Sequence, residues 1–193
     1  MKILVLSPPE TIPNELEYLK GFFNHGLEIF HLRKPKFSLR ELEQYIQKVP
    51  VKFHPRIMLH SHHDLIDKYD LRGLHYSEKT KESWQLNNPH LKSTSFHSLA
   101  QLTEDNPIFE YVFLSPIFNS ISKPGYSAAF KIEDLKQALA GSNTTVIALG
   151  GMNKQSIGRV KQLGFSGMAL LGGIWNRISP VETFQEICAL TNT

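Results

Sequence analysis

The chain has 193 residues, of which 41% are hydrophobic, a length that suits one well-filled core better than two. Its formal charge is only +3, with no run of five like charges, which excludes a typical nucleic-acid-binding protein and favours small anions as ligands. Its single cysteine, Cys188, cannot form an internal disulfide, and no stretch reaches the roughly 18 apolar residues of a membrane span. We therefore expect a single cytoplasmic domain over residues 1–193, without a membrane partner.

Short apolar, β-rich runs alternate with helical patterns along the whole chain. Strands are predicted at 3–6, 27–32, 56–60, 73–76, 92–97, 111–116, 144–150 and 167–173. Helices are predicted at 14–23, 38–49, 64–69, 98–102, 131–140 and 154–164, and FQEICAL near the C-terminus has the pattern of a buried helix face. Ser38 and Glu41 have the spacing of a capping box.

Eight strands at about 24 residues per unit predict an α/β protein with a compact (β/α)8 TIM barrel. The competing architecture is a doubly wound open sheet. That fold normally has five or six strands and a glycine-rich turn after the first one, whereas SPPE follows the first strand here and G-x-G-x-x-G is absent from the sequence. The strand count and the missing turn favour the barrel.

Polar residues collect where the predicted strands end, which is the end that carries the active site in such barrels. In chain order they are His31, Arg33, Lys34, His60, His62, His75, Ser95, His97, Ser120, Ser122 and Lys123. Histidine titrates near neutral pH, so those at the strand ends are candidate acids, bases or transition-metal ligands. The alternative for each is an ordinary hydrogen bond to a loop carbonyl.

The segment SPIFNSISKPG at 115–125 follows the sixth strand and has the composition of an anion site. In an extended backbone Ser120 and Ser122 face the same side, and Lys123 adds a cation that suits a phosphate. The alternative is a simple turn, because Asn119, Pro124 and Gly125 all favour turns.

Glycine pairs follow the last two predicted strands, Gly150 with Gly151 and Gly172 with Gly173. Loops at this place in the fold often hold a phosphate through backbone amides, which requires a close approach without a Cβ atom. The alternative for each pair is a strand-to-helix turn that needs a positive φ.

Several of these segments together resemble the thiamine phosphate synthase family, which includes the thiazole tautomerases of the TenI type. They are HLRK at 31–34, GLH at 73–75, SFH at 95–97, SPIFNSISK at 115–123, ALGGM at 148–152 and GFSGMALL at 164–171. The resemblance implies a (β/α)8 barrel that joins a pyrimidine diphosphate to a thiazole phosphate and releases pyrophosphate. The partners that it implies are small phosphorylated substrates. Whether the chain forms a homo-oligomer is left open by the sequence.

The same resemblance implies roles for individual residues. Arg33 and Lys123 would hold the diphosphate with the Ser95 hydroxyl, and Lys34 or Lys36 is a candidate replacement for a further lysine of the family. Ser120 and Ser122 would meet the thiazole phosphate, together with Gly151 and the backbone at Leu171 and Gly172. His31 and His60 complete the predicted binding set, and the predicted catalytic residues are Arg33, Lys123 and His97.

The sequence departs from the family pattern at the expected magnesium site. The family's two carboxylates lie in N-D-R after the third strand and in H-L-G-Q-x-D after the fourth, where this chain has 60–62 and 75–80 without either aspartate. We therefore predict no metal ligand, although the family implies magnesium.

The alternative function is a non-synthase relative, either a thiazole-phosphate isomerase or a phosphate-binding protein. The family's tautomerases carry a histidine where this chain has Pro116, so His97 or His60 would take over that proton transfer.

Overall fold

A computed structural model describes residues 1–77, 89–103, 108–119 and 130–192. The strands are β1 Lys2–Leu6, β2 Ile29–Leu32, β3 Ile57–Leu59, β4 Gly73–Tyr76, β5 Leu91–Phe96, β6 Tyr111–Leu114, β7 Val146–Ala148 and β8 Gly167–Leu170. They form one closed parallel barrel in sequence order, and β8 pairs with β1 from Lys2 opposite Gly167 to Val5 opposite Leu170. The predicted (β/α)8 barrel is confirmed, and the open-sheet alternative is wrong.

The helices are α1 Glu15–Asn24, α2 Leu39–Lys48, α3 Leu65–Tyr69, α4 Ala100–Thr103, α5 Ile132–Ala140, α6 Ile157–Leu163, α7 Gly172–Trp175 and α8 Pro180–Asn192. Short 3₁₀ turns cover Val51–Arg56 and Lys154–Ser156. The sequence prediction missed the turn at 51–56 and extended the last strand into what is α7. The strand stops at Leu170 because its pairing with β1 ends there.

The strands read as nearly continuous apolar runs because both of their faces are buried. Outward side chains pack under the helices, and inward ones fill the barrel with Leu4, Leu6, Ile29, Met58, Tyr111, Phe113, Ile147 and Ala169. The helix α2 shows the matching pattern, since Leu42, Tyr45 and Ile46 are buried on one face. Its predicted capping box is present, because Ser38 accepts a hydrogen bond from the Glu41 N–H while the Glu41 carboxylate accepts one from the Ser38 N–H.

Contacts after the last two strands fasten the loops of the barrel to one another. The Trp175 indole N–H donates to the Leu6 carbonyl at 2.6 Å, which ties α7 to the end of β1. A Cβ atom on Gly173 would lie 2.0 Å from the Met152 carbonyl oxygen, so only glycine fits there. In the described ranges, no helix combines the length and the apolar character that crossing a membrane would require.

Candidate active site at the carboxyl ends of the strands

Three histidines from neighbouring strands meet inside the barrel mouth. His31 lies in β2, His75 in β4, and His60 directly follows β3. The Nδ1 atom of His31 lies 2.9 Å from Nε2 of His60, and the rings of His60 and His75 stack with their centroids 4.1 Å apart. One ring nitrogen from each residue falls within 4.8 Å of the other two. We call these residues the histidine cluster.

Strand register explains why the histidine cluster forms. Met58 pairs with His31 on one side and with Gly73 on the other, and it points into the barrel. Side chains alternate along a strand, so His60, two residues after Met58, points the same way and lies level with His75. The sequence predicted polar strand ends but not that these three rings would touch.

Residues of β5 and β6 surround the cluster and satisfy its outer nitrogens. Nε2 of His31 lies 2.7 Å from the Tyr111 hydroxyl, and Nδ1 of His75 lies 2.8 Å from Oγ of Ser93. The predicted site residue Ser95 joins the same group, with its Oγ 3.1 Å from Nε2 of His75. Sequence analysis missed Ser93 and Tyr111, although barrel register places Ser93 between His75 and Tyr111.

His31 and His75 are buried and His60 is half-buried, and this burial lowers the pKa of every member of the histidine cluster because it disfavours the charged ring. The pKa of His75 falls to about 3, mainly through burial and then through the positive charge of Arg33. The pKa values of His31 and His60 are also well below the usual value, again mainly through burial, with the neighbouring His75 as the next cause. All three rings are therefore neutral at pH 7.

Arg33 stands beside this cluster, and its backbone is fixed by Ser7, the residue after β1. The Ser7 hydroxyl accepts a hydrogen bond from the Arg33 N–H at 2.8 Å and donates one to the Arg33 carbonyl at 3.0 Å. The Arg33 charge acts on both His60 and His75. This arrangement places a cation next to neutral rings, which suits an anionic ligand.

Lys34 has a different role from the one predicted. Its side chain is fully buried, and its ammonium donates to the Glu15 carboxylate at 2.7 Å and to the Glu10 carbonyl at 3.1 Å. The ammonium is therefore already neutralised within the fold. The prediction that Lys34 binds a substrate phosphate is wrong, because in an extended segment consecutive residues point to opposite sides.

His97 does not join the histidine cluster in the described part of the structure. It is exposed, and its Nδ1 lies 3.0 Å from the Ser115 carbonyl oxygen. The predicted residues Ser120, Ser122 and Lys123 lie outside the described residues, and their assignment stays a prediction.

The loops that the sequence assigned to a phosphate lie against one another. Gly150 and Gly151 have φ values of 96° and 71°, and a Cβ atom on Gly151 would lie 2.7 Å from the Asn119 carbonyl oxygen. Gly173 packs as closely on Met152. The backbones after β6, β7 and β8 therefore converge where Gly151, Leu171 and Gly172 were predicted to act. The positive φ angles also fit the turn interpretation of the first glycine pair.

The described donors do not fit magnesium. Ser61 stands at the position of the family's first carboxylate and offers only a neutral hydroxyl, while the donors that converge nearby are imidazole nitrogens. Magnesium binds oxygen ligands in a nearly ideal octahedron and rarely uses imidazole. Glu78 and Thr80, at the second carboxylate element, lie outside the described residues.

Comparisons by sequence point to one family, and solved structures of several kinds share the fold. The family model described as thiamine monophosphate synthase matches residues 3–174. The chain is 25% identical to the thiamine-phosphate synthase of Chlamydia caviae over 191 residues, which cover 93% of this chain and 89% of that protein. Among solved structures, thiamine phosphate pyrophosphorylase from Bacteroides thetaiotaomicron matches with a TM-score of 0.85 and 28% identity over 100% of this chain and 98% of the other. The enzyme of the same name from Pyrococcus furiosus matches with a TM-score of 0.83 at 16% identity, over 99% and 95% of the two chains.

Proposed function

The chain belongs to the thiamine monophosphate synthase family, and from this premise we propose that it joins a hydroxymethylpyrimidine diphosphate to a thiazole phosphate to form thiamine phosphate. The family match over residues 3–174, which spans all eight barrel strands, carries the proposal. Two relatives of that name or its synonym cover nearly the full chain, and they favour the synthase over the non-synthase alternative. The family acts on small phosphorylated substrates, which fits the cation at the barrel mouth.

The reaction needs a stabilised leaving group and an oriented nucleophile. The bond from the pyrimidine methylene carbon to the diphosphate oxygen breaks, and its electron pair leaves with pyrophosphate. The thiazole nitrogen then supplies the pair for the new carbon–nitrogen bond. Arg33 supports this step because a fixed cation near the leaving group stabilises the charge that develops there.

The neutral histidine cluster supports the binding of the pyrimidine. The half-buried ring of His60 lies at the mouth, held by its hydrogen bond to His31 and its stacking on His75, and a neutral imidazole suits contact with a polar but uncharged heteroaromatic ring. Ser95 adds a hydroxyl at the same place. The described residues do not fit magnesium. The proposed roles in catalysis and binding are therefore assigned to side chains of the protein and not to that ion.

Product formation tests the proposal directly. The purified protein is incubated with both substrates, and thiamine phosphate and pyrophosphate are quantified. We expect both products in equal amounts, and we expect Arg33→Gln to lower kcat/KM about 10- to 150-fold, because a charge-assisted hydrogen bond contributes ~1.5 to 3 kcal/mol.

Lys36→Gln is the matched control. Lys36 is also a cation of the segment after β2, but it is exposed and paired with Glu10. Its replacement should leave kcat/KM nearly unchanged. Conversion of thiazole phosphate alone, without product from the pair, would contradict the synthase and support the isomerase.

A cytoplasmic location is part of the same proposal. Phosphorylated substrates do not cross membranes unaided, so an enzyme that consumes two of them is expected where they are made. Cell fractionation with an antibody to the chain tests this placement.

A further inference from the structure

The histidine cluster has the composition of a transition-metal site. Around a tetrahedral zinc ion with bonds of 2.0–2.1 Å, ligand nitrogens lie about 3.3 Å apart. In the structure Nδ1 of His31 and Nε2 of His60 lie 2.9 Å apart, and the three candidate nitrogens lie within 4.8 Å of one another. Shifts on the order of 1 Å, together with a rotation that ends the stacking of His60 on His75 and the contact of Nε2 of His75 with Ser95, would bring the three nitrogens to ligand spacing and direction.

The groups around the cluster fit the same interpretation. A metal-bound imidazole usually donates its second N–H to a neighbouring oxygen. Nε2 of His31 has the Tyr111 hydroxyl for this purpose, and Nδ1 of His75 has Ser93. The hydrogen bond between His31 and His60 requires a proton on one of the two facing nitrogens, and an ion can replace this bond if that proton moves to the other nitrogen of the same ring, which leaves the ring charge unchanged.

We propose that His31, His60 and His75 bind one zinc ion and leave its fourth position open to an anionic ligand. Three imidazoles are a ligand set that zinc uses, and neutral nitrogen donors favour it over magnesium. As far as the described residues show, the cluster consists of histidines and includes no carboxylate ligand. Arg33 adds a positive charge beside it. The excess positive charge selects an anion as fourth ligand, of which a phosphate oxygen is the kind available at this mouth. That last assignment rests on the proposed function, whereas zinc binding does not.

Metal titration of the chelator-treated full chain tests the site. Zinc is followed by calorimetry, and cobalt is added as a spectroscopic probe because tetrahedral cobalt absorbs visible light. We expect one ion per chain and the visible bands of a tetrahedral nitrogen site. The absence of stoichiometric binding would overturn the proposal and leave the cluster as a purely hydrogen-bonded one.

A double variant and a matched control locate the ion. His31→Gln with His60→Asn replaces two rings by neutral amides that can still donate and accept hydrogen bonds, so the variant should keep the fold. It should lower zinc affinity about 100-fold or more. His25→Gln removes an exposed histidine that contacts Gln185 and should leave the affinity unchanged. Unchanged zinc affinity in the double variant, with native circular dichroism, would overturn the assignment.

The open position is tested with inorganic phosphate. Phosphate should shift the visible bands of the cobalt-loaded protein and should shift them less in Arg33→Gln. Identical spectra with and without phosphate would overturn the anionic fourth ligand. None of these measurements uses enzyme turnover, so a failure of the synthase assay and a failure of the metal site are distinguishable.

Discussion

His31 is bonded at both ring nitrogens, to Tyr111 inside the barrel and to His60 toward the mouth. A buried ring in this position is held in one orientation, and a proton added to it would have to be accommodated away from water. The same holds for His75 between Ser93 and Ser95. These hydrogen bonds therefore fix the orientation of His31 and His75 at the barrel mouth, and both rings remain neutral.

The neutral cluster predicts a stability that falls in acid. The pKa values of His31, His60 and His75 in the folded protein lie below the ordinary value, so between about pH 6.5 and the folded pKa the unfolded chain binds more protons. The contribution of these three histidines to the free energy of unfolding of the metal-free protein should therefore be fully present above pH 6.5. It should then fall by about 1.4 kcal/mol per pH unit for each such histidine as the pH drops toward the folded pKa, which is about 3 for His75. Urea unfolding at pH 7.5, 6.5, 5.5 and 4.5 measures the slope.

The comparison that isolates the cluster is again His31→Gln with His60→Asn. This variant retains the carboxylates that also titrate in acid but has lost two of the three rings whose pKa values are lowered, so its slope should be shallower. Equal slopes in parent and variant would show that other groups determine the acid response.

At the scale of elements, a buried ion pair joins α1 to α2 and to the segment after β2. The Glu15 carboxylate accepts hydrogen bonds from Lys34 at 2.7 Å and from the Tyr45 hydroxyl at 2.8 Å. Burial lowers the pKa of Lys34, and the hydrogen bond to Glu15 opposes this shift. Three segments of the chain therefore depend on one carboxylate.

Removing one partner of this pair should destabilise the protein strongly. Lys34→Met leaves Glu15 buried without its cation, so the free energy of unfolding should fall by about 3 to 5 kcal/mol. Adding Glu15→Leu to that variant should recover part of the loss, because it removes the unpaired charge. Urea unfolding of both variants measures this.

Lys36→Met provides the contrast for this prediction. The Lys36 side chain is 77% exposed in its pair with Glu10, where solvent screens the interaction, so its loss should leave the free energy of unfolding nearly unchanged. A Lys34→Met effect as small as this one would contradict a structural role for the buried pair.

Most elements were predictable from the sequence because apolar runs and helical patterns alternate with a regular spacing. The contacts between side chains in the candidate site were harder to predict from the sequence. His60 reaches His75 only through the register of β3 with β4, a long-range property that local pattern does not contain. His97 instead contacts the Ser115 carbonyl oxygen, a meeting of two loops that the local sequence pattern does not contain either. Lys34 was a recoverable error, because its position next to Arg33 already placed the two cations on opposite sides.

At the scale of the molecule, the loops that follow β6, β7 and β8 contact one another directly at the carboxyl end of the barrel. Gly173 lies against the Met152 backbone, and Gly151 against the Asn119 backbone. Because these contacts join loops after three successive strands, a small change in one loop displaces its neighbours. The carboxyl end of the barrel is therefore expected to respond as a unit.

Two glycine substitutions test this packing. A Cβ atom on Gly173 would lie 2.0 Å from the Met152 carbonyl oxygen, so Gly173→Ala should lower the free energy of unfolding by about 1 to 3 kcal/mol. Gly158 lies within α6 with no atom within 4 Å of its added Cβ, so Gly158→Ala should raise it by about 0.5 to 1 kcal/mol. Thermal and urea unfolding measure both. Two changes of the same sign would contradict this account of the packing.

The pairing of β1 with β8 has a consequence for the synthesis of the chain. Among the eight strands of the barrel β1 leaves the ribosome before the others, yet one edge of this strand lacks its partner until the segment that begins at Gly167 has been made. Until that segment emerges from the exit tunnel, the nascent chain presents two unpaired strand edges, which are templates for association with other chains. The growing polypeptide is therefore expected to depend on chaperones that shield these edges, and a stalled translation product that ends before β8 should be a preferred target of proteases.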